Sequence, residues 1–510
     1  MLIVSLVALL SLPLLVALVV IRNPRWYPLM DMAQVELRVR DVGSSNPPLI
    51  GLKGRFFVED RQSSHPGPLA FWLLWPAYRA AGGTAWAMQV ATVTLQLAAM
   101  ATALWIAWRR GGAGLVLGMA AMLAVLMRAY GALTLTEAWI PHLPLLWWVV
   151  FVLAMWSIFC GDAALVPVAV FAGSLCVQTH ISHLGTVLGL GALALVTASV
   201  TRVRHGRRDA DRAPIRWLVA GAGLAIVLWA PPIIEEAIRS PGNLSLLWSY
   251  FRAPGEPPIG LRSGVETLLI HLDPWRLVTG RILSDRALLT GATLPGAVLL
   301  AAWAVTAVVA ARLGHRSLLR LHVVLGSAVV LAALSMSRII GDVWYYLVLW
   351  GWALGALLGF AATWTVAVLV ARHREVLRTL WPRWALGNSA LAGVIVASTA
   401  VFVGHANQVE VLRPDLSAMM DELVPPTVRR TVGRVHPGDG TRRPLPRHLD
   451  RPDALGDPGL GPVERARPQR LRRRRRGALP GPGHGRARTV ARRRHRRGEP
   501  GRRQLHPGVA

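Results

Sequence analysis

The chain is almost without lysine: of 56 basic residues in 510, only Lys53 is not an arginine. That bias points to GC-rich coding DNA. Cysteine is nearly absent too, with Cys160 and Cys176 alone, both in or beside apolar runs. Two thiols so placed exclude a disulfide framework and a cysteine-built metal site, and read as small packing residues. Charged residues make up 16% of the chain, against about 25% in ordinary soluble domains, which excludes a soluble globular protein. The net charge of +29 resembles that of a nucleic-acid binder, but its distribution excludes one. Residues 441–510 hold 21 arginines and 5 acids, so 21 − 5 = +16 of the charge lies in that tail. Most of the remainder falls between hydrophobic runs.

What is present is apolar sequence: 53% hydrophobic residues and a mean hydropathy of +0.42. Runs of about 20 residues, the length a helix needs to cross a bilayer, recur along the chain. They predict spans at 2–21, 85–108, 112–130, 141–160, 163–183, 185–201, 217–234, 293–311, 319–338, 343–370 and 385–404. The first lacks a basic leader and a small-residue cleavage site, so it reads as a retained helix and not a signal peptide. Basic clusters at 109–110, 202–216, 312–320 and 372–383 all fall on one side if eleven spans begin in the cytoplasm. The same count puts loops 22–84, 131–140, 235–292 and 339–342 outside. Arg22 and Arg25 sit on the wrong side of that rule.

The short apolar stretch 68–81 cannot span, and counting it as a span would invert every later cluster. It reads as an interfacial helix with Trp72, Trp75 and Tyr78 at headgroup level. Residues 31–42 carry both a helical stripe (Met32, Val35, Val39, Val42) and a strand-like alternation; beside a bilayer the helix is favoured. Asp31, Gln34, Arg38 and Asp41 then share its opposite face. Residues 436–510 are different text: after Asp439 there is no Ile, Phe, Trp, Tyr, Met, Ser, Asn or Lys. Arg-Pro-Gly-Ala sequence of this kind is what GC-rich DNA gives out of frame, and a frameshift near Asp439 is the favoured reading. A disordered basic tail is the alternative, and resequencing the locus separates the two.

Loop 22–84 gathers charge at the membrane face, where a simple anchor carries little, and polar groups so placed mark function. Asp31 stands about ten residues past the first span, suited to act as a general base. Glu36 is the second candidate catalytic acid, and Arg38 and Arg40 could pair with a carboxylate or bind a phosphate bidentately. Ser63-Ser64-His65-Pro66-Gly67-Pro68 leads into the interfacial helix and leaves His65 at the water–lipid boundary. The topology brings further polar clusters to the same face: Glu137 with His142, Gln178 with His180 and His183, and Asp342 with Tyr345 and Tyr346. Together they suggest an outward-opening polar cavity. His180 and His183, i and i+3, could share a divalent cation, but no third ligand is evident, so no metal or other cofactor is expected.

This order of features resembles the GT-C membrane glycosyltransferases, which include protein O-mannosyltransferases and aminoarabinose and arabinosyl transferases. The resemblance rests on Leu29-Met30-Asp31-Met32-Ala33-Gln34-Val35-Glu36, on His65-Pro66 and on the later spans, over residues 1–435. The paired acids of many members are not clean here, because Met32 follows Asp31. The resemblance implies an all-α polytopic fold with a GT-C-like core, a polyprenyl-phosphate sugar donor and an acceptor glycan or protein in the cell envelope. It implies inverting transfer at the outer face of the cytoplasmic membrane, with Asp31 as base and Arg38 or Arg40 on the leaving phosphate. Apolar segments 244–251 and 265–272 would form a lid. The rival expectations are a transporter or flippase, which would want midplane charges and a repeat, and a non-catalytic binder of a lipid-linked ligand.

Overall fold

A computed structural model of the chain describes residues 1–23, 25–205, 212–279, 289–373 and 383–434. The tail at 436–510, with the reading given to it above, lies outside the described residues. So do residues 206–211 of the basic cluster at 202–216 and 374–382 of that at 372–383.

The protein is a multi-pass helical membrane protein. Eight of its described helices are long and apolar enough to cross a bilayer. α1 (Leu2–Val20) is apolar throughout, and its 19 residues rise about 28 Å, close to the thickness of a bilayer core. α2 (Met30–Asp41) and α3 (Leu69–Ala80) are the two short helices of the first loop. α2 buries Met32, Val35 and Val39, the helical stripe and not the strand alternation. α3 buries Leu69, Phe71, Leu74 and Tyr78, so Tyr78 turns inward while Trp72 stays 39% exposed.

α4 (Ala85–Thr136) is 52 residues long and folds at Gly111–Gly112. Gly112 has φ +64° and ψ −154°, open to glycine and strained for other residues. Two neighbouring glycines thus make the turn between the runs that the sequence separates at 109–112. α5 (Leu145–Phe159) and α6 (Val166–Thr179) are shorter apolar helices of 15 and 14 residues. α7 (Leu184–His205) and α8 (Arg212–Ile238) follow, then three short helices: α9 (Asn243–Arg252), α10 (Gly260–His271) and α11 (Pro274–Thr279). α12 (Leu294–Leu313), α13 (Arg316–Ser337), α14 (Gly351–His373), α15 (Arg383–Ala406) and amphipathic α16 (Pro414–Arg434) complete the order. The predicted run 343–370 begins as helix only at Gly351. Residues 345–347 form a single 3-10 turn that keeps Tyr345 and Tyr346 out of the span.

Polar contacts sort the helix ends into two groups. At one end Asp162 takes Arg109 and Arg110 at 2.7 and 2.9 Å, Trp156 donates to the Ser317 carbonyl, and Arg372 donates to that of Leu313. At the other end Trp86 donates to the Leu18 carbonyl, Trp139 to Asp31, and the Ser64 amide to Asn243. Successive spans therefore run in alternating directions, and the basic clusters at 109–110 and 312–320 share one end.

The fold is all-α apart from one small element. Residues 53–64 form a two-stranded hairpin, β1 (Lys53–Val58) and β2 (Arg61–Ser64). Val58 pairs with Arg61 across a two-residue turn in which Glu59 takes φ +54°. The register slips between Lys53 and Phe56, a bulge that frees Gly54 and Arg55 from the ladder. Beyond it the pairing resumes: the His65 amide donates to the Leu52 carbonyl (2.8 Å) and the Gly51 amide to that of His65 (3.0 Å).

α10 is pinned against α13. A Cβ on Gly264 would lie 2.6 Å from the Ser337 amide nitrogen and 2.7 Å from its Cα, both backbone atoms. Gly264→Ala should therefore cost about 1–3 kcal/mol. It should lower the apparent melting temperature in detergent by several degrees, and an unchanged melting temperature would contradict this packing.

Candidate functional site

A cavity of about 620 Å³ opens at the end of the molecule that carries Asp31. Its walls come from α2, the β-hairpin, the segments before α5 and α7, α9, and the stretch between α13 and α14. Asp31 reaches it because α2 starts there; a carboxylate in the first helical turn also meets the positive end of the helix dipole. Trp139 Nε1 donates to Asp31 Oδ2 at 2.9 Å. The indole is itself held edge-on by His142 (4.8 Å) and Tyr346 (5.1 Å).

Three cations share the cavity with that carboxylate: Lys53, Arg55 and Arg338. The β-bulge presents Lys53 and Arg55, while Arg338 follows the last turn of α13. The Arg55 guanidinium donates to the carbonyls of Asp342 (2.9 Å) and Ile340 (3.3 Å), contacts that fix its orientation without neutralising it. No carboxylate pairs with any of the three among the described residues. Tyr346 stands between the opposed charges. Burial raises its phenol above the ordinary value; Arg55 pulls it down and Asp31 pushes it up.

His65 and His180 form the buried corner of the site, their rings 4.7 Å apart and tilted by 32°. The Ile181 amide donates to His65 Nδ1 (3.3 Å), which leaves Nε2 as the protonated nitrogen of the neutral ring. Burial pushes the His65 pKa down to about 3. Burial, with His65 as a neighbouring charge, takes His180 well below its ordinary value. Both rings are therefore neutral at pH 7 and act as hydrogen-bonding groups.

The sign of the linkage follows from that depression. A histidine that titrates near 6.5 when unfolded and near 3 when folded binds its proton only in the unfolded chain at intermediate pH. Stability is full above pH 6.5 and is lost as pH falls towards 3. At pH 5, 1.5 units below the unfolded value, His65 alone should cost about 2 kcal/mol. Apparent melting temperatures at pH 7.5 and 5.0 should show the drop, and His65→Gln should flatten it. An equal drop in both proteins would contradict the assignment.

The remaining sequence-predicted residues are placed as follows. Glu137 and His142, both buried, face each other at 3.5 Å behind Trp139 and support it without reaching the cavity. Gln178 is buried; its side-chain amide donates to the Leu228 carbonyl (2.8 Å), and its backbone carbonyl receives the Gly67 amide. His183 lies behind His180, with its ring 6.5 Å away at 90°. Among the described residues no group of three His, Cys, Asp or Glu gathers where a metal could be held. Asp342 enters through its backbone carbonyl, and Tyr345 packs on Trp139 and His142, leaving the wall to Tyr346.

Glu36, Arg38 and Arg40 point away from the cavity. Arg40 meets Glu36 at 2.5 Å and Tyr78 Oη at 2.8 Å, and Arg38 lies 3.8 Å from Asp41. The i,i+4 spacing of Glu36 and Arg40 was the visible signal for that pairing. The signal for Lys53 and Arg55 was a basic–aromatic run, Lys53-Gly54-Arg55-Phe56-Phe57, closed by the turn-forming Glu59-Asp60.

No family model matches the chain, and no curated protein does. Among solved structures it is similar to the crystal structure of ArnT from Cupriavidus metallidurans bound to undecaprenyl phosphate. Identity is 15%, coverage 79% of this chain and 75% of that one, and the TM-score 0.47. The apo state of the same protein aligns at 15% identity over 79% and 74% of the two chains, with a TM-score of 0.45.

Proposed function

We propose that the protein transfers a sugar from a polyprenyl-phosphate donor to a hydroxyl acceptor at the outer face of the membrane. The carrying observation is one cavity that joins a lone carboxylate, Asp31, to the three unneutralised cations Lys53, Arg55 and Arg338. Opposed charges in one space suit a reaction that removes a proton at one end and releases a phosphate at the other. The sequence resemblance to GT-C enzymes agrees with this division of labour.

In the proposed reaction Asp31 takes the proton of the acceptor hydroxyl as its oxygen attacks the anomeric carbon. The bond from that carbon to the phosphate oxygen breaks, and its electron pair leaves with the polyprenyl phosphate. Attack opposite the leaving group inverts the anomeric centre. Arg55, with its orientation fixed by two carbonyls, and its neighbours Lys53 and Arg338 stabilise the departing phosphate. These roles replace Arg38 and Arg40 as the phosphate-binding pair. Neutral His65, His180 and Tyr346 offer hydrogen bonds to sugar or acceptor hydroxyls.

Apolar side chains also line the cavity, among them Leu184, Leu331, Leu334, Leu347 and Trp350. Such a surface fits the first isoprene units of a lipid carrier. Tyr250 and Phe251 of α9 pack on Phe56 at 5.3 and 5.9 Å and line one side of the cavity. Binding of a radiolabelled polyprenyl-phosphate sugar by the purified chain, competed by polyprenyl phosphate, tests the assignment. Binding that survives loss of both Arg55 and Lys53 would reject it.

A further inference from the structure

We propose that a second pocket, where α1, α2, α3 and α4 meet, binds the phosphate of an anionic phospholipid at headgroup depth. The pocket has a volume of about 530 Å³ and shares no residue with the cavity around Asp31. Arg22, Arg25 and Arg40 line it, with Glu36, Trp26 and Trp86.

The charge does not balance. Glu36 is taken by Arg40 and by Tyr78, whose hydroxyl lies 2.8 Å from it. Arg22 and Arg25 have no carboxylate partner among the described residues. Each instead lies over an aromatic ring: Arg22 at 5.2 Å from the Trp86 centroid and Arg25 at 5.3 Å from that of Tyr27. A guanidinium held on a ring face keeps its N–H edge for a planar or tetrahedral oxyanion. Trp26 supplies an independent observation: it is 9% exposed, and its buried indole N–H meets no acceptor. A buried donor without an acceptor is costly, and a ligand oxygen would satisfy it after a small ring movement.

Depth selects the source of the phosphate. Arg22 comes two residues after α1 ends at Val20, and Trp86 is tied to the Leu18 carbonyl at 2.8 Å. The pocket therefore sits where a span leaves the hydrocarbon, beside a belt of Trp and Tyr. It is also where Arg22 and Arg25 break the charge rule that the other clusters follow. An anionic headgroup compensates for that placement.

The full chain in detergent micelles would be titrated with phosphatidylglycerol and followed by native mass spectrometry. Wild type is expected to retain one more phosphatidylglycerol than the Arg22→Gln/Arg25→Gln double variant, with at least tenfold tighter binding. Phosphatidylcholine should bind both weakly and equally. Raising ionic strength should release the extra lipid from wild type, a readout independent of how well the variant folds. Equal retention of phosphatidylglycerol by both proteins, or salt-insensitive retention by wild type, would overturn the proposal. Displacement by glycerol phosphate at concentrations as low as those of the lipid would also overturn it, because the ligand would then be a soluble phosphate.

Discussion

Asp31→Asn is expected to lower sugar transfer by about 10²–10⁴-fold while leaving donor binding within a few-fold of wild type. Asparagine keeps the size of the side chain and can still accept the Trp139 N–H, so the wall built from Trp139, His142 and Tyr346 should stand. What it removes is the capacity to take a proton. A purely structural role would show instead as a lower melting temperature and weaker donor binding. Steady-state kinetics beside a binding titration separate the two, and unchanged turnover in Asp31→Asn would remove Asp31 from the chemistry.

The second large effect belongs to Arg55. A charge-assisted hydrogen bond to phosphate contributes about 1.5–3 kcal/mol, so Arg55→Gln should reduce kcat/KM for the donor by about 10–150-fold. Arg55→Lys should restore little, because a point charge cannot hold two carbonyls and a phosphate in one plane. Lys53→Gln should have a smaller effect, and the double variant should lose polyprenyl-phosphate inhibition altogether. Arg40→Gln is the contrasting variant: it should change stability through Glu36 and Tyr78 and leave the donor constants alone. If Arg40→Gln abolishes donor binding and Arg55→Gln does not, the phosphate end of the cavity is wrongly assigned.

Much of this architecture is written in local sequence. The helices follow from apolar runs, and the stripe Met32, Val35, Val39 fixes which face of α2 is buried. The turn at Gly111–Gly112 lies where two apolar runs meet around two arginines. Asp31 could be singled out because its position depends only on the end of one span and the start of the next helix. The cavity cations Lys53, Arg55 and Arg338 could not, since they depend on pairing between segments. Arg55 faces the cavity through a bulge opposite β2, and its partners Ile340 and Asp342 lie 285 and 287 residues away in sequence. Arg338 reads in the sequence as the polar edge of a span. Tyr346 rather than Tyr345 lines the wall because a single 3-10 turn rotates one ring towards His180 and the other towards His142. The histidines show the same limit: sequence spacing pairs His180 with His183, whereas the fold sets His180 against His65, the rings 4.7 Å apart and tilted by 32°.

The most direct test of the central claim is product analysis with the full chain in proteoliposomes. Radiolabelled polyprenyl-phosphate sugar would be supplied with a crude envelope acceptor fraction, and both products would be measured. Glycosylated acceptor and free polyprenyl phosphate should appear in equal amounts, and both should be lost in Asp31→Asn. Intact donor carried across the bilayer without bond cleavage, or no turnover by folded wild type beside a working control enzyme, would contradict the account.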